Sequence, residues 1–434
     1  MLINIRTNSL RAIALACALA TTGAGNAWAD QAPDKRIDEL ERQIKVLAEE
    51  LGRVKEAQVI PETTELKSEW GMGPAASKVY GVESGLSIAG YGEFNFAHVE
   101  GGDDKADFLR LVTYLGYKFN DKILLNSEIE YEHASTGKSG SASVEFAYLD
   151  FLINQRANVR AGLVLVPVGF VNEMHEPPFY HGNQRPIVER RIIPSTWRAN
   201  GLGVFGQLAP GLSYRSYVVT SLDARGFKSG DIRGGRQKGS KELANDFSWV
   251  GRFDWEPTPE LLLGASAYLG DQGQDRIAAD MDSDPVTADV EADVFMQMYE
   301  AHLQYRSHGL ELRALGVTVD LDDADVLSTA NGKTIGSTME GWYAEIAYDL
   351  MPLLSPGSDH YLAPWLRYSA LDTNAEVPAG FSIDPSADRE LLEVGVAWKP
   401  IPNVVIKLDW RDFSDAETGS DPGDELRLGA GFVF

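Results

Sequence analysis

The segment VVIKLDWR, residues 404–411, shows the pattern that recurs over most of this 434-residue chain. Its even-numbered positions are apolar, whereas Lys407, Asp409 and Arg411 are charged. Side chains of a β-strand point alternately to opposite faces, so this segment predicts a strand with one apolar and one charged face. About sixteen segments of roughly ten residues show the alternation. They begin near Leu86, Phe108, Lys122, Ser143, Asn158, Trp197, Leu212, Asp246, Glu260, Ala292, Gly309, Ser337, Asp359, Arg389, Asn403 and Asp424.

The connections between these segments alternate in length. Tight turns at 209–211 and 257–259 are followed by long connections at 223–245 and 271–291. Outer-membrane barrels have short periplasmic turns and longer outer loops. The sequence therefore predicts an all-β fold, a transmembrane antiparallel β-barrel of about 16 strands over residues 86–434, in a Gram-negative outer membrane. A two-sheet sandwich or a secreted β-helix, the soluble alternatives, would leave the alternating loop lengths unexplained.

Charged wall residues are expected to face the lumen, because Arg or Lys facing lipid at mid-depth costs about 2–4 kcal/mol. They are Arg110, Lys118, Arg160, Arg215, Arg252, Arg313, Arg367, Lys407, Arg411, Arg427, Glu93, Glu128, Glu130 and Glu132. Acidic residues cluster on one strand and arginines on later strands, which predicts that negative and positive charges are partly segregated across the lumen. The alternative is that these acidic and basic side chains pair with each other. Aromatic residues near the short turns are expected to face outward, as interfacial belts do. They are Tyr117, Phe119, Phe151, Phe205, Trp255, Tyr305, Tyr348, Trp398 and Phe434.

The first 60 residues are expected to lie outside the barrel. Residues 1–29 predict a cleaved signal peptide, with Arg6 and Arg11 before an apolar centre and a small-residue cleavage site at 27–29. The only cysteine, Cys17, lies in the removed part, and a lipoprotein that keeps it is the alternative. Residues 30–60 predict a periplasmic coiled-coil helix, followed by a linker at 61–85. Its heptad seam consists of Ile37, Leu40, Ile44, Leu47, Leu51 and Val54.

This heptad predicts a homo-oligomer, and the barrel favours a trimer, although the seam residues also fit a two-stranded coil. A surface helix that packs on its own domain is the alternative. The coiled coil could also tether the barrel to the cell wall or to a partner.

A long apolar connection interrupts the barrel pattern: residues 170–195 read FVNEMHEPPFYHGNQRPIVERRIIPS. Loops of this length are functional or disordered, and this one is too apolar for disorder. We predict that residues 169–196 fold into the barrel mouth as a constriction loop. The constriction would hold Arg185, Arg190, Arg191 and Arg198 against Glu173, Glu176 and Glu189. Each arginine could either attract an anion or anchor the loop through an ion pair, and Arg190-Arg191 is the pair hardest to neutralise.

The final strand, DELRLGAGFVF at 424–434, looks like the C-terminal strand of Gram-negative outer-membrane barrels. The segments NEMHEPPFYHGNQRP at 172–186 and VERRIIPSTWRANGLGVFG at 188–206 resemble the phosphate-selective porin O and P family. This resemblance implies a sixteen-stranded trimeric channel with an N-terminal helical segment. It also implies a preference for anions and a constriction formed by the loop after the fifth strand.

The function that we expect is an outer-membrane porin for small hydrophilic solutes, leaning towards phosphate or small organic anions. A barrel of about sixteen strands is too wide for side chains to fill, so an aqueous channel remains. Its partners would be lipid, lipopolysaccharide and these solutes, and the net charge of -25 disfavours nucleic acid. The lysines and arginines of the connection at 223–241 could gather anions or bind lipid phosphates.

We predict no cofactor, no metal ligand and no catalytic residue. The enzyme alternative is a hydrolase that uses Ser195 with His175 or His181, but no G-x-S-x-G elbow surrounds that serine.

Overall fold

The computed structural model describes residues 42–46, 67–281, 289–415 and 423–434. The chain divides into two units, Met1–Val59 and Ile60–Phe434. The predicted signal peptide lies outside the described residues. Of the predicted coiled coil, only residues 42–46 are described, and they are helical. The heptad and the oligomer that it implies therefore stay predictions.

Sixteen antiparallel strands close into a barrel, which confirms the predicted fold class. The first strand pairs with the last, with Tyr91 opposite Val433. The barrel strands are β1 (Gly85–Val99), β2 (Lys105–Asn120), β3 (Ile123–Glu132), β4 (Ala142–Phe151), β5 (Asn158–Leu165), β6 (Arg198–Ala209), β7 (Leu212–Thr220), β8 (Phe247–Thr258), β9 (Leu261–Asp271), β12 (Phe295–Ser307), β13 (Leu310–Leu321), β14 (Thr338–Tyr348), β15 (Tyr361–Glu376), β16 (Asp388–Ile401), β17 (Val404–Asp415) and β18 (Glu425–Val433). A small hairpin, β10 (Ile277–Ala279) and β11 (Val290–Ala292), lies between β9 and β12.

The remaining elements are short and lie outside the strands. The α-helices are Lys78–Gly81, Val188–Arg191, Ala324–Asn331 and Met351–Leu354. The 3-10 turns are Pro177–Phe179, Ala224–Gly226, Arg233–Gly235 and Pro385–Ala387. In the part of the chain that the structure describes, no helix has the length and apolar character needed to cross a membrane.

The outer face of the barrel is apolar because the period-two pattern places one residue type outward. Ile346, Leu366 and Val394 lie side by side on β14, β15 and β16, and each is at least 40% exposed. Arg367, the next residue after Leu366, is fully buried on the opposite face. This arrangement removes charge from the outer surface, where a side chain would otherwise meet lipid.

One member of the predicted outward aromatic row, Phe205, was predicted wrongly. Phe205 faces inward and is 1% exposed, packed edge-to-face on Trp70 with ring centroids 5.2 Å apart. Its ring also lies 4.8 Å from the guanidinium of Arg160. Val204, its neighbour on β6, takes the outward position instead. The exposed members of the row are Tyr117, Phe119, Phe151, Trp255, Tyr348, Trp398 and Phe434, and Tyr305 is half-buried.

Residues 67–82, within the predicted linker, pack against the inward side chains of the wall; we call them the inner N-terminal segment. Met72, Ala75 and Val79 are buried. The Asn126 side chain donates to the Ala76 carbonyl at 2.9 Å, and Lys118 donates to the Val82 carbonyl at 2.8 Å. This segment therefore fills part of the interior that the strands alone would leave open.

Candidate functional site

Residues 166–197, the connection from β5 to β6, cross the barrel interior; we call them the folded-in segment. The Tyr180 hydroxyl donates to Glu93 on β1 at 3.0 Å, and Lys407 on β17 donates to the Gly182 carbonyl at 2.8 Å. On another side of the wall, Arg252 on β8 donates to the Gly169 carbonyl. Contacts with strands this far apart around the barrel mean that the segment spans the lumen.

The sequence of the folded-in segment accounts for its compactness. Pro177 and Pro178 open a 3-10 turn, because proline presets the backbone angle and has no amide hydrogen to satisfy. Gly182 has φ of 79°, in the left-handed region that favours glycine, and the Trp365 ring lies 3.1 Å from where a Cβ would be. Ile192 and Trp197 are buried in the apolar core, which holds the segment in place.

The three predicted glutamates of the constriction anchor this segment. Glu173 lies 3.5 Å from Arg215 and 3.9 Å from Arg252 on the wall. Glu176 accepts the Ala75 amide of the inner N-terminal segment at 3.0 Å. Glu189 accepts the Val171 amide and the Tyr343 hydroxyl, both at 2.7 Å. They do not oppose the constriction arginines as we predicted, because backbone amides and wall residues use their carboxylate oxygens.

Alternating charges line one side of the wall across five strands. Arg367 on β15 lies 2.5 Å from Glu345 on β14 and 2.9 Å from Glu393 on β16. Arg411 on β17 continues the row, at 3.0 Å from Glu393 and 2.7 Å from Glu425 on β18. Arg427 on β18, 2.7 Å from Glu425, makes three arginines against three carboxylates, so this row carries little net field into the lumen.

The remaining predicted wall residues are also paired or bonded. Arg110 lies 2.8 Å from Glu93 and 2.9 Å from Glu130. Arg160 lies 2.8 Å from Asp150. The other wall contacts are Arg215 and Arg252 with Asp254, Arg313 with the Phe179 carbonyl, and Glu128 with His175. The predicted segregation of acidic and basic wall residues is therefore wrong for these strands, because cross-strand register brings opposite charges together.

The four constriction arginines divide into two pairs. Arg191 lies 2.7 Å from Asp231, and Arg198 lies 2.7 Å from Glu145. Arg190 donates to the neutral amide oxygen of Gln184 at 2.8 Å. The Nε and Nη2 atoms of Arg185 are buried and have no hydrogen-bond partner among the described residues. Arg185 and Arg190 are thus positive charges without a carboxylate partner in the described part of the chain.

Residues 221–246, the connection from β7 to β8, cover the folded-in segment and add further cations; we call them the basic loop. The Ile232 amide donates to the Arg191 carbonyl at 3.4 Å, and Arg236 donates to the Thr196 carbonyl at 2.8 Å. Across the mouth, Thr373 on β15 donates to the Ser229 carbonyl at 2.6 Å. The basic loop is therefore fixed on both sides.

A cavity of about 560 Å³ opens beside this loop. Its lining residues are Lys228, Asp231, Arg233, Gly234, Arg236 and Lys238. Asp231, the single carboxylate in the lining, is already paired with Arg191. The cavity therefore presents an excess of positive charge.

Burial and mutual repulsion lower the pKa values of three arginines at the mouth. Burial, and then the charges of Arg411 and Arg233, lower the pKa of Arg190 to about 9. Burial and the charge of Arg236 lower the pKa of Arg233 to about 9. Burial and the charge of Arg198 lower the pKa of Arg236 to about 10. All three remain charged at neutral pH, and a bound anion would relieve their repulsion.

We call Arg185, Arg190, Arg233 and Arg236 the mouth cluster. Sequence reasoning identified the first two as constriction residues, and it noted the basic composition of 223–241 without placing it. The two loops are separated by a strand pair, so only their packing reveals that their arginines adjoin.

Proteins of known sequence include a relative of this chain. No protein-family model matches it. A protein of Aquifex aeolicus (strain VF5), described as uncharacterized, is 33% identical over 377 residues, which cover 82% of each chain. The chain belongs to the same family as this Aquifex aeolicus protein.

Solved structures beyond this family share the fold. The outer membrane channel DcaP of Acinetobacter baumannii has a TM-score of 0.53 and 12% identity, with 80% of this chain and 97% of that chain covered. An anion-selective porin from Comamonas acidovorans has a TM-score of 0.50 and 14% identity, with 81% and 100% covered. OmpT of Vibrio cholerae in its trimer form has a TM-score of 0.50 and 14% identity, with 80% and 99% covered. At identities this low, the TM-scores show a shared barrel fold and no more.

Proposed function

We propose that this chain forms a passive outer-membrane channel for small hydrophilic solutes and that it favours anions. The observation that carries the proposal is the mouth cluster, four arginines without a carboxylate partner among the described residues. They lie at the mouth of a closed barrel in which most wall charges pair locally, while Arg313 and Lys407 donate to backbone carbonyls and add to the positive side. Neutral pairs contribute little to the field at a distance, so the unpaired charges set the preference.

Phosphate or a small organic anion is the solute class that fits this site. Arg233 and Arg236 line one cavity together with Lys228 and Lys238, and guanidinium groups bind phosphate and carboxylate oxygens through paired N–H donors. The resemblance of residues 172–206 to the phosphate-selective porins O and P supports the same class, and we propose membership of that wider group. The Comamonas acidovorans neighbour is itself described as an anion-selective porin.

The outer membrane is the location that we propose, with the predicted signal peptide at 1–29 directing export. The apolar outer face and the exposed aromatic row suit a lipid environment. A homotrimer is the assembly that we propose, joined by the barrels and by the coiled coil at 30–60. The trimer form of the Vibrio cholerae neighbour and the heptad pattern support it.

The side chains of the alternative hydrolase do not form a catalytic pair. The Ser195 hydroxyl donates to the Glu189 carbonyl. His175 contacts Glu128, and His181 contacts Glu345 at 2.8 Å and Tyr361 at 2.9 Å. A serine nucleophile needs a base within hydrogen-bond reach, so these contacts favour a role without catalysis.

The reversal potential of single channels in a planar bilayer under a KCl gradient tests the proposal. The variant is R190Q/R233Q/R236Q, which removes three charges and keeps polar side chains. R225Q is the matched control, because Arg225 is exposed in the same basic loop and does not line the cavity. Each charge at ~8 Å from a passing ion contributes roughly 0.5–1 kcal/mol at effective dielectric constants of about 80 to 40.

Three such charges predict at least a roughly tenfold fall in the chloride-to-potassium permeability ratio at 0.1 M salt. At 1 M salt the Debye length is only about 3 Å, so the difference between variant and wild type should shrink. R225Q should match the wild type at both concentrations. A wild-type channel that prefers cations, or a triple variant with unchanged selectivity at low salt, would refute the proposed anion preference.

A further inference from the structure

Three buried side chains meet where the folded-in segment passes the wall at β3 and β4. They are Glu128 on β3, Glu145 on β4 and His175 on the segment, and each is at most 2% exposed. One potential ligand atom from each lies within 4.8 Å of the other two. Nε2 of His175 is 3.2 Å from Oε1 of Glu128 and 3.7 Å from Oε2 of Glu145.

The orientation of the imidazole is fixed from the opposite side. Nδ1 of His175 lies 3.1 Å from the Asn172 carbonyl oxygen, which can only accept a hydrogen bond. Nδ1 therefore carries the proton, and in the neutral ring the lone pair of Nε2 points towards the two carboxylates. A backbone carbonyl that holds the distal nitrogen of a histidine is the usual outer-shell contact of a metal-binding imidazole.

Unpartnered oxygens provide a second, independent observation. Oε2 of Glu128 and Oε2 of Glu145 are buried without a hydrogen-bond partner among the described residues. Arg198 occupies only Oε1 of Glu145, at 2.7 Å. The nearby cation Arg185 does not supply the missing contact through Nε or Nη2, since both atoms also lack partners. Buried carboxylate oxygens without a donor are costly, so a cation bound between the two carboxylates and the imidazole would stabilise the cluster.

We propose that Glu128, Glu145 and His175 bind one divalent transition-metal ion of the zinc class, which fastens the folded-in segment to the wall. Ligand atoms about 2.0–2.2 Å from a tetrahedral ion lie about 3.3–3.6 Å apart, close to the two distances from Nε2 of His175. A nitrogen ligand and only three side chains favour zinc over calcium, which takes 6–8 oxygen ligands. Water would complete the tetrahedron.

The site was invisible in the sequence because its ligands come from three separate elements. We predicted no metal ligand, since no spacing motif links positions 128, 145 and 175. Residues 128 and 145 come together only after β3 and β4 pair. Glu128 lies opposite Phe146, and the register shift at the next position places Glu145 in a β-bulge beside it. Residue 175 joins them only when the folded-in segment enters the barrel.

Isothermal titration with Zn²⁺ alone tests the site on the full-length, detergent-solubilised barrel after removal of metal with a chelator. H175Q and E128Q remove one ligand each. H181Q is the matched control, because His181 is a buried histidine of the same segment whose partners are Glu345 and Tyr361. Outer-shell changes cost about 10–100-fold in metal affinity, so removing a ligand should cost more than ~100-fold. H181Q should keep one high-affinity Zn²⁺ per chain.

Three further measurements keep the test decisive if a variant folds poorly. Heat-modified electrophoretic mobility reports whether each barrel has closed, and Co²⁺ bound to the wild type should give the visible absorption of a tetrahedral site. Hydrogen exchange across residues 166–197 should slow when Zn²⁺ is added to the wild type. Wild-type protein that binds no Zn²⁺, or that binds it as H175Q does, would overturn the proposal. The second result would assign the binding to carboxylates outside this cluster, such as Asp320 at the end of β13 and Asp322 and Asp323 in the connection after it. None of these readouts depends on ion selectivity.

Discussion

Residues Leu366 and Arg367 adjoin on β15 and face opposite sides of the barrel, so exchanging them tests which side meets lipid. Leu366 is 42% exposed and lies between Ile346 and Val394 on the outer face. Arg367 is fully buried on the inner face, where its guanidinium bonds Glu345 and Glu393. The variants are L366R, R367L and the double exchange, which keeps the amino-acid composition unchanged.

The expected costs follow from the two environments. An arginine on the lipid face at mid-depth costs about 2–4 kcal/mol, so L366R should lower the free energy of unfolding by that amount. R367L removes one partner from each of two buried carboxylates and leaves Glu345 with His181 and Glu393 with Arg411. Breaking a buried pair costs roughly 3–5 kcal/mol. The two residues are adjacent, so the two costs need not add, and the double exchange should cost more than either single variant. Domains are stabilised by about 5–15 kcal/mol, so the double variant should fold poorly or not at all.

The assay is urea unfolding of the barrel in lipid vesicles, with tryptophan fluorescence as the readout. L366M keeps an apolar side chain of similar volume and should cost less than about 1.5 kcal/mol. L354R is the depth control, because Leu354 is exposed on the connection between β14 and β15, outside the strands. Charges near the interface cost only about 0–1 kcal/mol. An L366R barrel as stable as L354R would refute the assignment of the outer face to lipid.

Two further changes probe the contents of the barrel. D150N should cost roughly 3–5 kcal/mol, because it leaves Arg160 buried without its ion pair. Trypsin should then cleave the inner N-terminal segment faster, since Tyr80 also donates to Asp150, at 2.6 Å; an unchanged cleavage rate would contradict this role. Burial raises the pKa of Glu189, so the folded state favours its protonated form. Attachment of the folded-in segment should therefore be strongest below the usual glutamate pKa and weaken as pH rises towards the raised value. Exchange of the Val171 amide, corrected for intrinsic rates, should show this loss of protection as the pH rises above the usual glutamate pKa in the wild type, and E189Q should abolish the pH dependence.

The sequence alone determined the barrel and most of its strand boundaries. Alternation with period two is a local property, and a charged side chain facing lipid is costly at most positions of a strand. The sequence therefore predicts that Leu366 faces outward and Arg367 inward, without knowledge of the neighbouring strands. The same logic indicated that the connection after β5 is too apolar to remain in solvent. It failed at Phe205, where the inward ring packs on Trp70, a residue 135 positions earlier in the chain.

Tertiary structure decided which charges are neutralised and which remain free. Arg191 and Arg190 are neighbours with the same side chain, yet within the described part of the chain Arg191 meets Asp231 and Arg190 meets the amide of Gln184. Such outcomes depend on strand register and on two loops packing inside the same mouth, and neither leaves a signal in local sequence. Electrostatic energy depends on distance in space, so the field of the channel is fixed only when the folded chain brings distant charges together.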